Sequence, residues 1–340
     1  MGINLDTGKN SARIYIILLV IVACVILLSS CDVSIIRDAI LPRIAGAGAI
    51  NDADGNRAGG GRLQFTEKTP YGDDTAVVVN TTIDVYAEAD MTSARTAQLL
   101  FDEPVQILER TELWAKILID GDTEGWVRSR GLDGDWTCVD GRRYTDRIVI
   151  TDRERQIYSH PRNGIVIRDV GMGTELFVVS KSDNVYQVAL PGNLTGWMSE
   201  NGVFQLNAGD AIKKTTADIF AQSCAKFRGV SYLGGGLSFQ GVDGAGMVYI
   251  AAKINGVRLP RDYEGQYANG DPVSGEPGAL EIGDVLFFSP NNQSPTVADS
   301  GVYTGDGKFI HANQHTGKVQ YEDVEDPYFQ QRMLGVRRYF

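Results

Sequence analysis

The sequence predicts two small β-barrel units followed by an α+β domain, and three observations support this order. Between residues 75 and 139, short runs rich in β-branched and aromatic residues alternate with turn-forming residues. The pair Gly125-Trp126 recurs as Gly196-Trp197, each time after a strand-like run and a turn, which indicates two copies of one unit. From residue 209 onward, helical patterns come first and strand patterns follow, an order typical of α+β domains.

Composition excludes several classes of protein. A chain of 340 residues is longer than one hydrophobic core usually supports, so more than one domain is expected. A formal net charge of -11 without any Lys/Arg cluster excludes nucleic acid as a partner. The four cysteines, Cys24, Cys31, Cys138 and Cys224, fit neither a zinc site nor a dense disulfide framework. No cofactor and no metal are therefore expected, and whether Cys138 pairs with Cys224 stays open.

The N-terminus has the features of an export signal. Lys9 and Arg13 precede an apolar run, residues 14–28, that is shorter than the ~20 residues needed to span a bilayer. The run ends in Leu28-Ser29-Ser30-Cys31, which resembles the bacterial lipobox. The resemblance implies a signal peptide at 1–31, lipid attachment at Cys31 and a location on the outer face of the cytoplasmic membrane, the periplasmic side in a Gram-negative cell. An uncleaved anchor helix is the alternative.

Residues 32–74 are predicted to be a flexible tether to the membrane. Most residues between 45 and 61 are Gly, Ala, Asp or Asn, a composition that cannot bury enough apolar surface to fold. The first barrel unit is then assigned to residues 75–140 and the second to residues 145–207.

Each barrel unit contains a hairpin that ends in a Gly-Trp pair. In the first, residues 114–119 alternate and lead through Asp120-Gly121-Asp122 to Gly125-Trp126-Val127; in the second, residues 185–189 lead through Pro191-Gly192-Asn193 to Gly196-Trp197-Met198. Both segments resemble bacterial SH3 domains. The resemblance implies small β-barrels that bind cell-wall peptides or support a neighbouring catalytic domain.

The α+β domain is assigned to residues 209–340. Helices are predicted at 211–227 and 243–254, and strands at 285–288, 301–304, 308–311 and 334–339. Six segments carry a family resemblance, in this order: 227–232, 235–238, 241–243, 256–261 with Gln266, 283–288 and 301–312. They resemble the NlpC-type cell-wall cysteine peptidases, papain-like enzymes that cut the γ-D-glutamyl bond of peptidoglycan stem peptides.

The resemblance also implies that the catalytic groups are missing. Such an enzyme needs a thiolate at a helix N-terminus and a histidine on the facing strand. The family's Asp-Cys-Ser-Gly aligns with residues 243–246, which puts Gly244 at the nucleophile position. The family's His-Val-Gly-Ile-Tyr aligns with residues 299–303, which puts Asp299 at the base position, and His311 matches the third polar residue. A protein without catalytic activity is therefore predicted.

Two other readings of these residues stay open. Cys224 is a candidate substitute nucleophile, against the reading that it is a buried structural cysteine. Asp243, Asp299 and His311 could together hold a metal ion, although neither ligand number nor geometry supports that.

Part of the family's substrate-binding set is present. The resemblance implies that Asp243 receives the free amine of the terminal L-Ala, and that Tyr232 and Ser238 contact the γ-D-Glu. Ala245 stands where the family has Ser, and Gly234 where it has a cleft tryptophan, which removes a hydrogen bond and a wall. Three functions remain: a non-catalytic module that binds peptidoglycan stem peptides, an envelope scaffold that uses its barrels, and an active hydrolase.

Overall fold

The computed structural model of the chain describes residues 71–119 and 123–340. These residues lie in one compact unit. The predicted signal peptide with Cys31, the tether up to residue 70 and the Asp120-Gly121-Asp122 turn lie outside the described residues. Among the helices that are described, none has the length and apolar character to cross a bilayer.

The first barrel consists of seven antiparallel strands. These are β1 (Thr75–Val78), β2 (Thr82–Tyr86), β3 (Arg95–Leu100), β4 (Pro104–Arg110), β5 (Trp114–Ile119), β6 (Thr123–Arg128) and β7 (Leu132–Asp133). Their order across the sheet is β3-β2-β6-β5-β4-β1-β7. Irregular registers between β2 and β3 and between β4 and β5 bend the sheet around a cluster of small and branched apolar residues. Strand β3 was not predicted from the sequence.

The second barrel repeats the first, strand for strand. Its strands are β8 (Asp146–Ile150), β9 (Glu154–Tyr158), β10 (Val166–Gly171), β11 (Glu175–Ser182), β12 (Val185–Leu190), β13 (Leu194–Ser199) and β14 (Val203–Asn207). The order β10-β9-β13-β12-β11-β8-β14 is the order of the first barrel shifted by seven strands. The repeat inferred from the two Gly-Trp pairs is therefore present in the topology.

The glycine of each pair is required by close packing. A Cβ atom on Gly125 of β6 would lie 2.3 Å from Cγ1 of Val85 in β2. A Cβ atom on Gly196 of β13 would lie 2.2 Å from Cγ2 of Ile157 in β9, the equivalent position of the second barrel. Because neither distance leaves room for a side chain, only glycine lets these strands approach each other.

The C-terminal domain is α+β, as predicted. Its helices are α1 (Ala217–Ala225), α2 (Gly244–Ile254), α3 (Tyr263–Ala268) and α4 (Pro327–Gln330). A short hairpin, β15 (Leu237–Ser238) and β16 (Gly241–Val242), precedes α2. The main sheet, in the order β17-β22-β18-β19-β20-β21, contains β17 (Asp271–Val273), β18 (Val285–Phe288), β19 (Asp299–Gly305), β20 (Lys308–Asn313), β21 (Lys318–Asp323) and β22 (Met333–Arg338). Helices α3 and α4 and strands β17 and β21 were not predicted.

Three consecutive residues, the last of β3 and the two that follow it, join the domains. Leu100 packs into the core of the α+β domain, and Phe101 packs into the core of the second barrel. Asp102, with a φ of 63°, is buried, and its Oδ1 accepts a hydrogen bond from the Cys138 thiol at 3.1 Å. Cys138 and Cys224 are both free thiols, which answers the question of their pairing.

The buried carboxyl of Asp102 predicts a pH-dependent stability. Burial raises the pKa of Asp102 to about 8, so the folded chain binds this proton more tightly than the unfolded chain does. Its contribution to stability is therefore fully present below about pH 4 and is lost as the pH rises through about 8. Asp102→Asn should gain stability relative to the unmodified chain by up to about 1.4 kcal/mol per pH unit across this window. Thermal unfolding as a function of pH measures the difference.

Asp183→Asn is the matched control, because Asp183 has a similar φ of 52° but is exposed. Its unfolding temperature should follow that of the unmodified chain at every pH. Parallel curves for Asp102→Asn and the unmodified chain would contradict a neutral carboxyl at this junction.

Candidate functional site

The predicted nucleophile position lies at the N-terminus of α2. Asp243 is the N-cap residue, and its Oδ1 accepts a hydrogen bond from the Gly246 N–H at 2.6 Å. Gly244 is the first residue of the helix. At this place a helix dipole would lower the pKa of a thiol, but Gly244 has no side chain on which the dipole could act.

Gly244 faces the predicted base position across a very short gap. A Cβ atom on Gly244 would lie 2.7 Å from the carbonyl oxygen of Ser300 and 3.1 Å from Oδ1 of Asp299. The first distance is shorter than real Cβ contacts, so any side chain at 244 requires the backbone of β19 to move. The alignment therefore brought together two residues that are neighbours in space.

Asp299 and His311 form a hydrogen-bonded pair on neighbouring strands. Nδ1 of His311 lies 2.9 Å from Oδ2 of Asp299, and the Ser300 N–H donates to Asp299 Oδ1 at 2.8 Å. The His311 side chain is 2% exposed and that of Asp299 is 28% exposed. On the far side of the ring, Nε2 of His311 lies 3.9 Å from Glu322 Oε1. The imidazole is thus held between two carboxylates and does not face a nucleophile.

Tyr263 is a site residue that the sequence analysis missed. Its hydroxyl accepts a hydrogen bond from the Gly244 N–H at 3.1 Å. Burial, followed by the charges of Asp243 and Asp299, raises the pKa of Tyr263 well above its usual value, so the group is a neutral phenol. In peptidases the N–H of the nucleophilic residue is one donor to the developing oxyanion, and here Tyr263 already occupies it. The only sequence signal was an aromatic residue directly after Asp262, the N-cap of α3.

Asp243 accepts three hydrogen bonds from protein donors. Besides the Gly246 N–H, its carboxylate accepts from Nη1 of Arg261 at 3.2 Å and from the Gly235 N–H at 2.7 Å. Arg261 also donates from Nη2 to the carbonyl oxygen of Gly236 at 2.8 Å. Any ligand amine directed at Asp243 must therefore compete with a guanidinium, and the binding role of Asp243 stays a prediction.

The other two predicted binding residues differ in their surroundings. Tyr232 is half-buried and lines the same cavity as Asp299, and burial, with the charges of Asp243 and Asp299, raises its pKa. Ser238 is buried in β15, where its Oγ accepts from the Gln240 N–H at 3.2 Å. The structure brings Tyr232 to the cavity and places Ser238 in the β15–β16 hairpin, outside the cavity lining.

The first barrel contacts the segment that leads into β15. Nη1 of Arg95 donates to the carbonyl oxygen of Gly234 at 3.2 Å, and the Leu237 N–H donates to Oε1 of Gln98 at 3.0 Å. Strand β3 thus lies beside Gly234, the position predicted to correspond to a cleft tryptophan.

Neither thiol in the described part of the chain can replace the nucleophile. Cys224 is fully buried in α1, and burial raises its pKa far above the usual value. Cys138 is buried at the junction of the barrels, and burial followed by the charge of Asp102 raises its pKa as well. A neutral, enclosed thiol is inert.

A cavity of about 180 Å³ opens beside the pair formed by Asp299 and His311. Strands β18 to β20, the turn after β20 and helix α4 contribute its walls. It is lined by Tyr232, Phe288, Ser289, Pro290, Ala298, Asp299, His311, Ala312, Asn313, Gln314, His315, Tyr328, Phe329 and Arg332.

Comparison with known proteins places this cleft in a family. The chain is 30% identical over 252 residues to the gamma-D-glutamyl-L-lysine dipeptidyl-peptidase of Bacillus subtilis (strain 168), covering 72% of this chain and 80% of that protein. The family model described as NlpC/P60 family matches residues 229–338. This chain belongs to the NlpC/P60 family. A model described as Bacterial SH3 domain matches residues 81–133 of this NlpC/P60 protein.

Other NlpC/P60 proteins share its length and its fold. The gamma-D-glutamyl-L-lysine dipeptidyl-peptidase of Bacillus cereus (strain ATCC 10987 / NRS 248) is 26% identical over 251 residues, covering 71% of this chain and 74% of that one. The crystal structure of an NlpC/P60 family protein from Bacillus cereus ATCC 10987 superimposes with a TM-score of 0.71 at 20% identity, covering 78% of this chain and 99% of that chain. The predicted fold class, SH3-like barrels followed by an NlpC-type domain, is confirmed.

The three hydrogen bonds to the Asp243 carboxylate predict a large loss of stability when this group is removed. Asp243→Ala removes the cap of α2 and leaves the Arg261 guanidinium and the Gly235 N–H without an acceptor, so we expect a loss of about 3 kcal/mol. Asp262→Ala is the matched control, because Asp262 caps α3 through the Gly265 N–H at 2.7 Å but is exposed. It should lose about 1 kcal/mol. Chemical denaturation measures both, and equal losses would contradict the structural role of Asp243.

Proposed function

We propose that this NlpC/P60 protein is a membrane-anchored, catalytically inactive homologue that binds peptidoglycan stem peptides. The observation that carries the proposal is the surroundings of Gly244 at the N-terminus of α2. Asp299 lies opposite Gly244, and the Tyr263 hydroxyl binds the Gly244 N–H. Acyl transfer needs a nucleophile, a base and an oxyanion donor. Gly244 offers no nucleophile, Asp299 replaces the base, and Tyr263 occupies the donor.

Peptide binding is supported by what the cleft keeps. The cavity beside Asp299 is open, and half-buried Tyr232 and partly exposed Asp299 both line it. Two relatives that align with most of the chain are named for a γ-D-glutamyl-L-lysine bond, so a wall peptide is the ligand class that fits best. The lipobox-like sequence ending in Cys31 supports a lipid anchor on the outer face of the cytoplasmic membrane.

The proposal is tested with the full-length chain in detergent and a set of purified muropeptides. Mass spectrometry follows cleavage, and isothermal titration calorimetry follows binding. We expect binding without turnover. Turnover that Cys224→Ala abolishes would show an active hydrolase and refute the proposal.

An envelope scaffold is the second candidate function, and one surface feature favours it. Ile165, Val166 and Ile167 at the start of β10 are 75%, 42% and 37% exposed, and Leu194 of β13 is 56% exposed. Such a run on a β-barrel suits contact with another protein. Neither binding nor cleavage of muropeptides would favour this candidate.

The closed nucleophile position predicts an unusual response to a side chain. At a helix N-terminus, replacing glycine by alanine ordinarily gains up to about 1 kcal/mol. Gly244→Ala should instead destabilise the chain by about 1–3 kcal/mol, because the new Cβ would lie 2.7 Å from the Ser300 carbonyl oxygen. Thermal unfolding measures the effect.

Gly209→Ala is the control, because a Cβ there meets nothing within 4 Å. It should change the unfolding temperature little. A Gly244→Ala chain at least as stable as the unmodified one would show that the cleft can admit a side chain.

A further inference from the structure

The cavity beside the inactive centre carries opposite charges on its lining. Asp299 on β19 supplies a carboxylate, and Arg332, between α4 and β22, supplies a guanidinium. Phe288 and Phe329 add apolar surface to the same lining, and their ring centroids lie 5.3 Å apart. A site with an anion, a cation and aromatic surface selects a ligand that has both charges.

Arg332 keeps an unneutralised charge. Its guanidinium carbon lies 3.8 Å from the ring centroid of Tyr328, and Nη1 donates to the Tyr328 carbonyl oxygen at 2.9 Å. Within residues 71–119 and 123–340, no carboxylate oxygen lies within the 4.0 Å of an ion pair with Arg332. Its Nε is buried and has no hydrogen-bond acceptor in that same part of the chain. The guanidinium is thus oriented by an aromatic ring, and its terminal Nη groups, not the buried Nε, are the donors that can face a carboxylate.

Asp299 keeps acceptor capacity. Each of its oxygens accepts one hydrogen bond, Oδ1 from the Ser300 N–H and Oδ2 at the His311 ring, although a carboxylate offers about four acceptor positions. The side chain is 28% exposed. The change from a histidine to an aspartate at the base position therefore turns a proton acceptor into a receptor for an ammonium group.

We propose that this cavity binds a zwitterionic amino-acid head group, with the ammonium at Asp299 and the carboxylate at Arg332. The inference rests on the proposed function, because it names the part of a wall peptide that enters the site: the side-chain end of a diamino dicarboxylic residue. About 180 Å³ accommodates several water-sized groups, enough for one such head group.

Calorimetry with the full-length chain tests the proposal through three tripeptides. The first is L-alanyl-γ-D-glutamyl-meso-diaminopimelate, the second has the side-chain carboxylate converted to an amide, and the third has the side-chain amine acetylated. Each modification removes one charged contact and should weaken binding about 10- to 100-fold. This ligand series uses the unmodified protein, so it does not depend on the folding of any variant.

In the Arg332→Gln chain, the tripeptides with a side-chain carboxylate and with a side-chain amide should bind with equal affinity. The loss of affinity caused by acetylation of the side-chain amine should remain. Arg228→Gln is the matched control, since Arg228 lies 5.5 Å from the ring centroid of Tyr321 and outside the cavity lining. It should preserve both differences.

Equal affinity for all three tripeptides would overturn the head-group assignment while leaving peptide binding intact. No binding of any tripeptide would overturn the proposed function, and the head-group assignment with it.

Discussion

The cleft depends on the buried carboxylate of Asp243. It caps α2 through the Gly246 N–H, holds the loop at Gly235 and pairs with Arg261, which itself binds the Gly236 carbonyl oxygen. One side chain thus fixes the helix N-terminus, the loop before β15 and the segment before α3. Without a buried acceptor at this point, the three donors would be left without a partner, and the segments that carry them would no longer be held in place.

The chemistry of the site follows from that frame. Because Asp243 positions the first turn of α2, the Gly244 N–H is directed at the Tyr263 hydroxyl. The same arrangement places Gly244 so close to β19 that a Cβ atom on it would lie 2.7 Å from the Ser300 carbonyl oxygen and 3.1 Å from Asp299 Oδ1. The NlpC/P60 fold is retained, the Ser300 backbone crowds the place of a Cβ atom at 244, and the Tyr263 hydroxyl binds the Gly244 N–H.

The barrels contribute to the same unit through close packing. A Cβ atom on Gly173 of the second barrel would lie 2.2 Å from Cδ1 of Ile250 in α2. Leu100, the last residue of β3, packs into the core of the α+β domain, and Phe101 packs into the core of the second barrel. The α+β domain therefore packs against both barrels, and Arg95 of β3 donates a hydrogen bond to the carbonyl oxygen of Gly234.

The sequence alone predicted the class of each domain and the repeat of the barrels, and it predicted that Gly244 and Asp299 stand at the nucleophile and base positions. These features are local patterns: alternation in strands, the Gly-Trp pairs, and motifs read in order. Among the elements that were missed, β3, β17, β21, α3 and α4 are short or polar, so their apolar pattern is too weak to identify them and tertiary contacts stabilise them.

Only the tertiary structure showed that the Tyr263 hydroxyl binds the Gly244 N–H, that Asp243 pairs with Arg261, and that Arg332 shares a cavity with Asp299. Each of these relations joins residues separated by many positions along the chain. A local sequence pattern does not specify such contacts, because they depend on how elements that are distant in the sequence pack together.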